Sequence, residues 1–271
     1  MELDAQQIRK NAKVAPPERQ QAQTGMVKVY RYNPRARGEG PKKPVFKVPV
    51  EKGTTVLEAL LWIKEHDEPG LALRYSCRMG ICGSCGVLVN GQPRLACDTQ
   101  VEELDSETVE VGPLPNFPLI RDLATDFSDF LLNHHRIKPY LIRNEDTIGR
   151  PVLQELSQTE QQKLDYYQFT MCIMCGLCNA ACPVQATDCE FLGPQALAQA
   201  YRFAADSRDQ GWPERRDVVD TVHGCWGCRL AGSCSFVCPK GVDPALGIQL
   251  LKRRVLTKST RSSSQNPKLH D

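Results

Sequence analysis

The chain lacks any long hydrophobic run and carries almost no net charge. No apolar stretch approaches the roughly 18 to 20 residues that a membrane-spanning helix needs, so we expect membrane contact only through a docked partner. The formal net charge of +2 argues against an electrostatic surface for nucleic acid. No signal or transit peptide pattern opens the chain. We therefore expect a reduced compartment, in which cysteines serve as ligands and disulfides are rare.

A second absence concerns catalysis. Serine, histidine, aspartate and cysteine form no arrangement typical of acid–base or nucleophilic chemistry. We therefore predict no catalytic residue on this chain, and we expect any substrate chemistry to take place on a partner.

Cysteine is abundant, with 13 in 271 residues. One run, from Cys172 to Pro183, has the spacing C-x2-C-x2-C-x3-C-P. This is the ligand run of bacterial ferredoxins, in which three thiolates bind one cubane cluster and the fourth binds another. Zinc is the main alternative, but zinc sites usually pair two C-x2-C units. Disulfides between thiols this close in sequence would be strained.

A second run, from Cys228 to Pro239, supplies the exchanged ligands. When it is aligned on the first run, Ala231 stands at the position of Cys175. One thiolate is therefore missing, and a cube with only three protein ligands readily loses an iron. The exchange rule predicts a [4Fe–4S] cluster on one set of four thiolates and a [3Fe–4S] cluster on a set of three. The first set is Cys172, Cys175, Cys178 and Cys238, and the second set is Cys182, Cys228 and Cys234.

A third group of cysteines precedes both runs. Its pattern is C-x4-C-x2-C with a distant fourth residue, which is the spacing of a plant-type [2Fe–2S] site. Glycines between the cysteines would let backbone N–H groups approach inorganic sulfide. A small zinc site is the alternative. The predicted ligands are Cys77, Cys82, Cys85 and Cys97.

The segments around this third group predict a β-grasp domain like that of plant-type ferredoxins. Residues 27–32 and 45–50 alternate like strands of a hairpin. Residues 56–63 have helical spacing and follow a pair of threonines suited to an N-cap. Residues 109–111 are expected to form the last strand, and a proline-rich linker over 112–118 ends the domain.

The predicted fold class is α+β, with the β-grasp domain followed by an α-helical, bacterial-type ferredoxin domain. In the second domain we expect helices over 119–140, 191–209 and 242–255. The predicted divisions are a flexible tail 1–26, the plant-type domain 27–118, the two-cubane domain 119–258 and a polar tail 259–271.

These motifs together resemble the iron–sulfur subunit of succinate dehydrogenase and fumarate reductase. The resemblance covers about residues 27–255 and includes Leu95-Ala-Cys97, Phe191-Leu-Gly-Pro194 and Asp206-Ser-Arg-Asp209. It implies a flavoprotein partner with covalently bound FAD and a route for electrons through three clusters to quinone. It also implies hydrophobic membrane-anchor subunits, often with haem b, and a peripheral place on the cytoplasmic face of a prokaryotic cell membrane.

The resemblance further implies a quinone site near Pro183, Arg229 and Lys252. Arg229 stands where many ubiquinone-reducing members have histidine. Ala186 and Thr187 stand where those members have a tryptophan pair. These departures favour menaquinone over ubiquinone. A simpler interpretation of Lys252 is favourable charge at a helix C-terminus.

Several alternatives remain open at this point. Succinate:quinone oxidoreduction is the preferred direction, and quinol:fumarate reduction is the alternative. A soluble relay for another flavin dehydrogenase is less favoured. Such relays often carry paired Cys-Cys-Gly motifs, and no Cys-Cys pair occurs here. A structural zinc scaffold would belong to a different class of protein. Cys225 could complete a [4Fe–4S] cluster in place of Ala231, although a packed free thiol is favoured. Cys189 is expected to be structural, and His134 and His135 to lie at the surface or at the domain boundary.

Overall fold

The computed structural model describes residues 23–36, 40–143 and 155–257. Residues 1–22 of the predicted N-terminal tail and the whole predicted C-terminal tail lie outside the described residues. The described ranges form a β-grasp unit followed by a helical unit.

The first unit is a mixed five-stranded sheet with one helix packed against it. The strand order is β2-β1-β5-β3-β4, with β1 parallel to β5 and the other pairs antiparallel. The elements are β1 Gln23–Val29, β2 Val45–Val50, α1 Val56–His66, β3 Gly86–Val89, β4 Gln92–Leu95 and β5 Thr108–Gly112.

Helix α1 begins at the predicted threonine cap. The Thr55 hydroxyl accepts a hydrogen bond from the Glu58 N–H, and the Glu58 carboxylate accepts one from the Thr55 N–H, which makes a capping box. Leu57, Leu60 and Ile63 are fully buried on the face toward the sheet. This one-sided burial holds the helix across the strands and gives the cysteine loop that follows it a fixed starting point.

Strand β1 corrects the predicted tail boundary. It begins at Gln23, so four residues assigned to the tail belong to the sheet. Gln23 pairs with Val50 in the hairpin, and this pairing with β2 orders a segment that is polar in sequence. The predicted strand over 27–32 likewise ends early, at Val29, with Arg31 bridging to Lys42 in isolation.

The predicted helix over 119–140 is wrong in its first half. Residues Leu119–Arg121 and Ala124–Thr125 form a small hairpin, β6 and β7, and helix α2 covers only Ser128–Arg136. The cause is Asp122, which has φ of 48° at the turn and is 1% exposed. Its carboxylate accepts hydrogen bonds from the Arg31 side chain and from the backbone N–H groups of Tyr32 and Ala72. These contacts hold residues 119–125 against the first unit. The division between the two domains at residue 118 stays a prediction.

The second unit is built from short helices around the cubane runs. They are α3 Glu160–Thr170, α4 Leu177–Ala180, α5 Pro194–Ala205, α6 Trp212–Val219, α7 Ser233–Phe236 and α8 Pro244–Leu256. Helices α5 and α8 correspond to two of the predicted helices, and each begins with proline in its first turn. Their buried faces share an apolar cluster that includes Leu197, Ile248 and Leu251.

The two units share part of one core. Cys175, Leu177 and Ala180 of the helical unit belong to the same buried cluster as the sheet residues. The Asn116 side-chain amide donates hydrogen bonds at 2.9–3.0 Å to the carbonyls of Asn179, Ala180 and Cys182. The β-grasp unit is therefore docked directly on the first cubane run.

Candidate iron–sulfur centres

The two cubane runs have the same local backbone. Met174 and Gly176 in the first run have φ of 55° and 78°, and Leu230 and Gly232 in the second have φ of 57° and 77°. Each run contains a short helix directly after its left-handed glycine, α4 in the first run and α7 in the second. Left-handed backbone at a non-glycine residue is uncommon, so its recurrence at matching positions shows that the runs are structural repeats. Ala231 therefore occupies the place of Cys175.

One cavity is lined by the four thiols predicted for a [4Fe–4S] cluster. Cys172, Cys175, Cys178 and Cys238 all line this cavity, and the remaining wall includes apolar side chains and two glutamines. Burial raises the pKa of Cys175 to about 11. Such thiols keep their protons unless a cation takes their place. A thiol-lined cavity of this kind fits a cluster, because the irons would supply the positive charge that thiolates require.

A second cavity is lined by the three thiols predicted for a [3Fe–4S] cluster. Cys182, Cys228 and Cys234 all line this cavity, and Ala231 lies on its rim, where it is exposed to solvent. Burial, with a smaller contribution from the neighbouring Cys182 and Cys228, raises the pKa of Cys234 to about 11. Among the described residues, these three are the only cysteines that line the cavity, and the exposed Ala231 takes the place of a fourth.

Cys225 does not line this cavity. Its side chain is fully buried in the apolar cluster that contains Phe191, Ile248 and Leu251. This location fits the packed free thiol rather than the replacement ligand.

The plant-type loop holds the third group of thiols. The Cys85 and Cys97 sulfurs lie 3.3 Å apart in the interior, while Cys82 is exposed. The backbone N–H of Gly80, with φ of 68°, donates to Cys97 Sγ at 3.2 Å. The N–H groups of Ile81 and Cys82 donate to Cys77 Sγ at 3.3 and 3.2 Å. Inward-facing N–H groups of this kind offset the negative charge of thiolates and sulfide.

Among the described residues, no three His, Cys, Asp or Glu side chains converge closely enough to hold one metal ion. This finding agrees with the cysteine-lined cavities. A single zinc ion needs its ligands within about 2.0–2.3 Å of one point. In a cubane cluster each thiolate would bind a separate iron, so the ligands of such a cluster stand farther apart than those of one zinc ion.

The plant-type loop and the first cubane run touch at Gly83. This residue has φ of 73°, and a Cβ atom there would lie 2.8 Å from the Cα and Cβ of Cys175. We expect Gly83→Ala to push the two loops apart and to destabilise the protein by about 1–3 kcal/mol beyond the backbone strain. The matched control is Gly91→Ala, where φ is 80° but nothing lies within 4 Å, so only about 1–2 kcal/mol of strain is added. Thermal unfolding and iron content of both variants test this, and equal losses would contradict the close-approach argument.

The residues predicted for a quinone site lie together around Cys228. Pro183 and Arg229 line the three-thiol cavity. The Lys252 ammonium donates to the Cys228 carbonyl at 3.1 Å and lies 5.9 Å from the centre of the Trp226 ring. Lys252 thus contacts the ligand loop itself, which helix-end charge alone would not require.

Two buried glutamines were missed by sequence reasoning. Gln195 and Gln199 are 2% and 7% exposed and line the four-thiol cavity. Their spacing of four residues could have predicted them, because it places both glutamines on one face of a largely apolar helix. His134 is half-buried at the boundary and contacts Gln195, His135 is exposed, and the exposed Cys189 borders a separate surface pocket.

A β-grasp unit docked on a helical repeat, each with clustered thiols, defines a two-domain iron–sulfur electron-transfer protein. Residues 26–132 match the family described as a 2Fe-2S iron-sulfur cluster binding domain, and residues 168–242 match the 4Fe-4S dicluster domain. The chain belongs to the family of iron–sulfur subunits of succinate dehydrogenase and fumarate reductase.

Relatives of both names support this membership. The fumarate reductase iron–sulfur subunit of Mycobacterium tuberculosis is 44% identical over 237 residues, which cover 87% of this chain and 94% of that protein. The succinate dehydrogenase iron–sulfur subunit of Paracoccus denitrificans is 36% identical over 233 residues, covering 85% and 87%. A chain in the solved structure of the Mycobacterium smegmatis Sdh1 complex in the apo form aligns with a TM-score of 0.76 at 27% identity, covering 86% of this chain and 96% of that chain.

The predicted fold class, the family and the role as an electron-transfer subunit of an oxidoreductase complex are therefore confirmed. The 2Fe-2S and 4Fe-4S domains are confirmed as well. In the part of the chain that the structure describes, the helices are all too short or too polar to cross a bilayer.

Proposed function

We propose that this chain passes electrons between an FAD-containing flavoprotein subunit and membrane quinone through three centres in a row. The observation that supports this proposal most strongly is the repeated loop, in which Ala231 of the second run stands where the first run has Cys175. This difference would make two neighbouring centres chemically different. The proposed ligands of the three centres are the [2Fe–2S] set Cys77, Cys82, Cys85 and Cys97, the [4Fe–4S] set Cys172, Cys175, Cys178 and Cys238, and the [3Fe–4S] set Cys182, Cys228 and Cys234.

The order of the centres follows from contacts of the chain. Gly83 of the plant-type loop abuts Cys175 of the four-thiol set. Burial raises the pKa of Cys178 in that set, and one of the neighbouring thiols that add to the shift is Cys234 of the three-thiol set. Both observations support a four-thiol centre between the other two.

The chain's own residues hold and insulate the centres. When bound, iron–sulfur clusters accept and release single electrons at potentials set by hydrogen bonds, net charge and exposure. Backbone N–H groups aim at the sulfurs of the plant-type loop. Apolar side chains from α5 and α8, including Ala198 and Ile248, line the two cavities.

The quinone is proposed to bind near Arg229, which lines the three-thiol cavity, and Lys252, which contacts the Cys228 carbonyl. Two cationic side chains there would stabilise negative charge that develops on a quinone oxygen during reduction. Pro183 on the opposite run completes the wall. The arginine at 229 and the missing tryptophan pair after Pro183 support menaquinone.

We also propose that hydrophobic anchor subunits, with haem b where present, hold the chain on the cytoplasmic face of a prokaryotic cell membrane. The support is the family resemblance. The preferred direction is succinate to quinone. Quinol:fumarate reduction is a second candidate, favoured by the relatives at 44% identity, which are named fumarate reductase subunits.

The test is purification of the native assembly with succinate:quinone and quinol:fumarate assays run side by side.

We expect Lys252→Gln to lower quinone-linked activity by about tenfold, equivalent to about 1.4 kcal/mol of lost transition-state stabilisation. Electron transfer from succinate to a soluble dye that accepts electrons at the flavin should not change. The matched control is Arg253→Gln, which removes an exposed charge from the next position. Equal losses in both variants would contradict a specific role for Lys252, and assemblies without flavoprotein would contradict the proposed function.

A further inference from the structure

A buried amide stands beside the four-thiol cavity. Gln195 follows Pro194 at the start of α5 and is only 2% exposed. Its side chain lines the cavity together with the thiols of Cys172 and Cys238. Burying an amide costs free energy unless its donors and acceptor find partners, so the contacts of this side chain show what it is placed to do.

The nitrogen of the amide has two partners and the oxygen has none. Gln195 Nε2 lies 3.1 Å from His134 Nδ1 and 4.0 Å from Cys172 Sγ. The two N–H groups of a primary amide can serve these two acceptors. Gln195 Oε1 is buried without a hydrogen-bond partner among the described residues. The amide thus leaves its acceptor unpaired while its donors face the imidazole and the thiol.

This orientation is favoured by the charge of a ligated thiolate. If the amide were reversed, Oε1 would face an anionic sulfur and repel it. His134 supports the same orientation, because burial and the neighbouring His135 lower its pKa and favour the neutral ring, which can accept a hydrogen bond at Nδ1. With its proton on Nε2, the neutral imidazole accepts one amide N–H at Nδ1, and the second N–H is left to face the Cys172 sulfur.

We propose that Gln195 raises the reduction potential of the [4Fe–4S] centre by donating a hydrogen bond to the Cys172 thiolate, with His134 as the positioning residue for the amide. The inference rests on the proposed ligand set. Adding one electron makes the centre and its thiolates more negative, and a hydrogen bond to a charged acceptor strengthens as that charge grows. Donors to cluster sulfurs therefore favour the reduced state.

The decisive variant is Gln195→Leu in the assembled complex. The leucine fills similar space without a donor, and we expect the one-electron reduction equilibrium of the [4Fe–4S] centre to weaken about tenfold, a fall of about 59 mV in midpoint potential. Redox titration followed by EPR measures this shift. The [2Fe–2S] midpoint in the same sample serves as an internal reference and should stay unchanged.

The matched control is Gln199→Leu. Gln199 lines the same cavity and is similarly buried, but its amide donates to the Phe169 carbonyl at 2.8 Å and not to a thiol. Removing it tests general changes in cavity polarity. We expect a much smaller shift than in Gln195→Leu, and equal shifts in the two variants would overturn the proposal.

Two further variants keep the test decisive if Gln195→Leu fails to load its cluster. Gln195→Glu keeps the shape but turns an anionic oxygen toward the sulfur, so the midpoint should fall at least as far. His134→Leu acts from outside the cavity and should lower the midpoint by a smaller amount. An unchanged or raised midpoint in the loaded variants overturns the inference. A wild-type complex without a [4Fe–4S] signal would instead overturn the proposed ligand set.

Discussion

Replacing Ala231 with cysteine is expected to abolish most of the EPR signal of the oxidised [3Fe–4S] cluster and to give a [4Fe–4S] cluster in its place. The backbone requires no change, because the residues on both sides of Ala231 match those around Cys175 in φ to within a few degrees. Ala231 is also exposed at the rim of the cavity, so a thiol can enter without displacing the core.

The same substitution should lower the potential of the last centre and slow quinone reduction. An oxidised [3Fe–4S] core is wholly ferric, whereas an oxidised [4Fe–4S] core already contains ferrous iron, so adding another electron is harder. Cluster type is one of the main determinants of potential. We expect a fall larger than about 59 mV, which is more than a tenfold change in a one-electron equilibrium.

EPR of the oxidised and reduced complex, together with iron analysis, measures this conversion. Ala231→Val provides the control, since it adds bulk at the rim without a ligand and should keep the three-iron signal. A wild-type protein that lacks this signal would contradict the three-ligand assignment. That result would favour Cys225 as a fourth ligand, although its side chain is buried among Phe191, Ile248 and Leu251.

Removing Arg215 is expected to cause the largest loss of stability. Its side chain is completely buried and forms an ion pair with Asp209 at 2.6 Å, and the carboxylate is itself only 1% exposed. The guanidinium donates to the carbonyls of Ile137, Lys138 and Tyr140 and stacks over the Phe203 ring. One side chain thereby ties α6 to the segment that follows α2.

Arg215→Met keeps the volume but leaves Asp209 as an unpaired buried charge and strips three carbonyls of a partner. Breaking a buried ion pair from one side costs about 3–5 kcal/mol. For a chain of this size we expect the unfolding midpoint to fall by about 10 °C. Many multidomain proteins unfold irreversibly, so the midpoints of the variants should be compared at one scan rate.

The adjacent residue supplies the control for this experiment. Arg216 is 48% exposed, and its contact with Asp220 is a surface pair at 3.7 Å. Surface pairs contribute about 0–1 kcal/mol, so Arg216→Met should shift the midpoint little. A similar shift in both variants would show that the buried network does not set the stability.

Local signals were sufficient for most of the fold and for the candidate ligands. A cap and a hydrophobic face lie within one helix, so the threonines before residue 56 predicted α1. Cysteine spacing also works locally, because a turn of two or three residues determines which sulfurs can face one cluster. The helix expected over 119–140 failed for the opposite reason. Its first half is bound by Asp122 to Arg31, Tyr32 and Ala72, which are distant in sequence.

By itself, the sequence determined that this is a two-domain chain with three separate sets of cysteine ligands. Ligand spacing and element patterns are properties of short segments, so they can be recognised without the tertiary structure. Only the tertiary structure showed that Gly83 meets Cys175, that Gln195 faces Cys172 and His134, and that Arg215 is buried on Asp209. These contacts join segments that are far apart along the chain. The packing of the two units determines which of these residues meet, and a local sequence pattern carries no information about that packing.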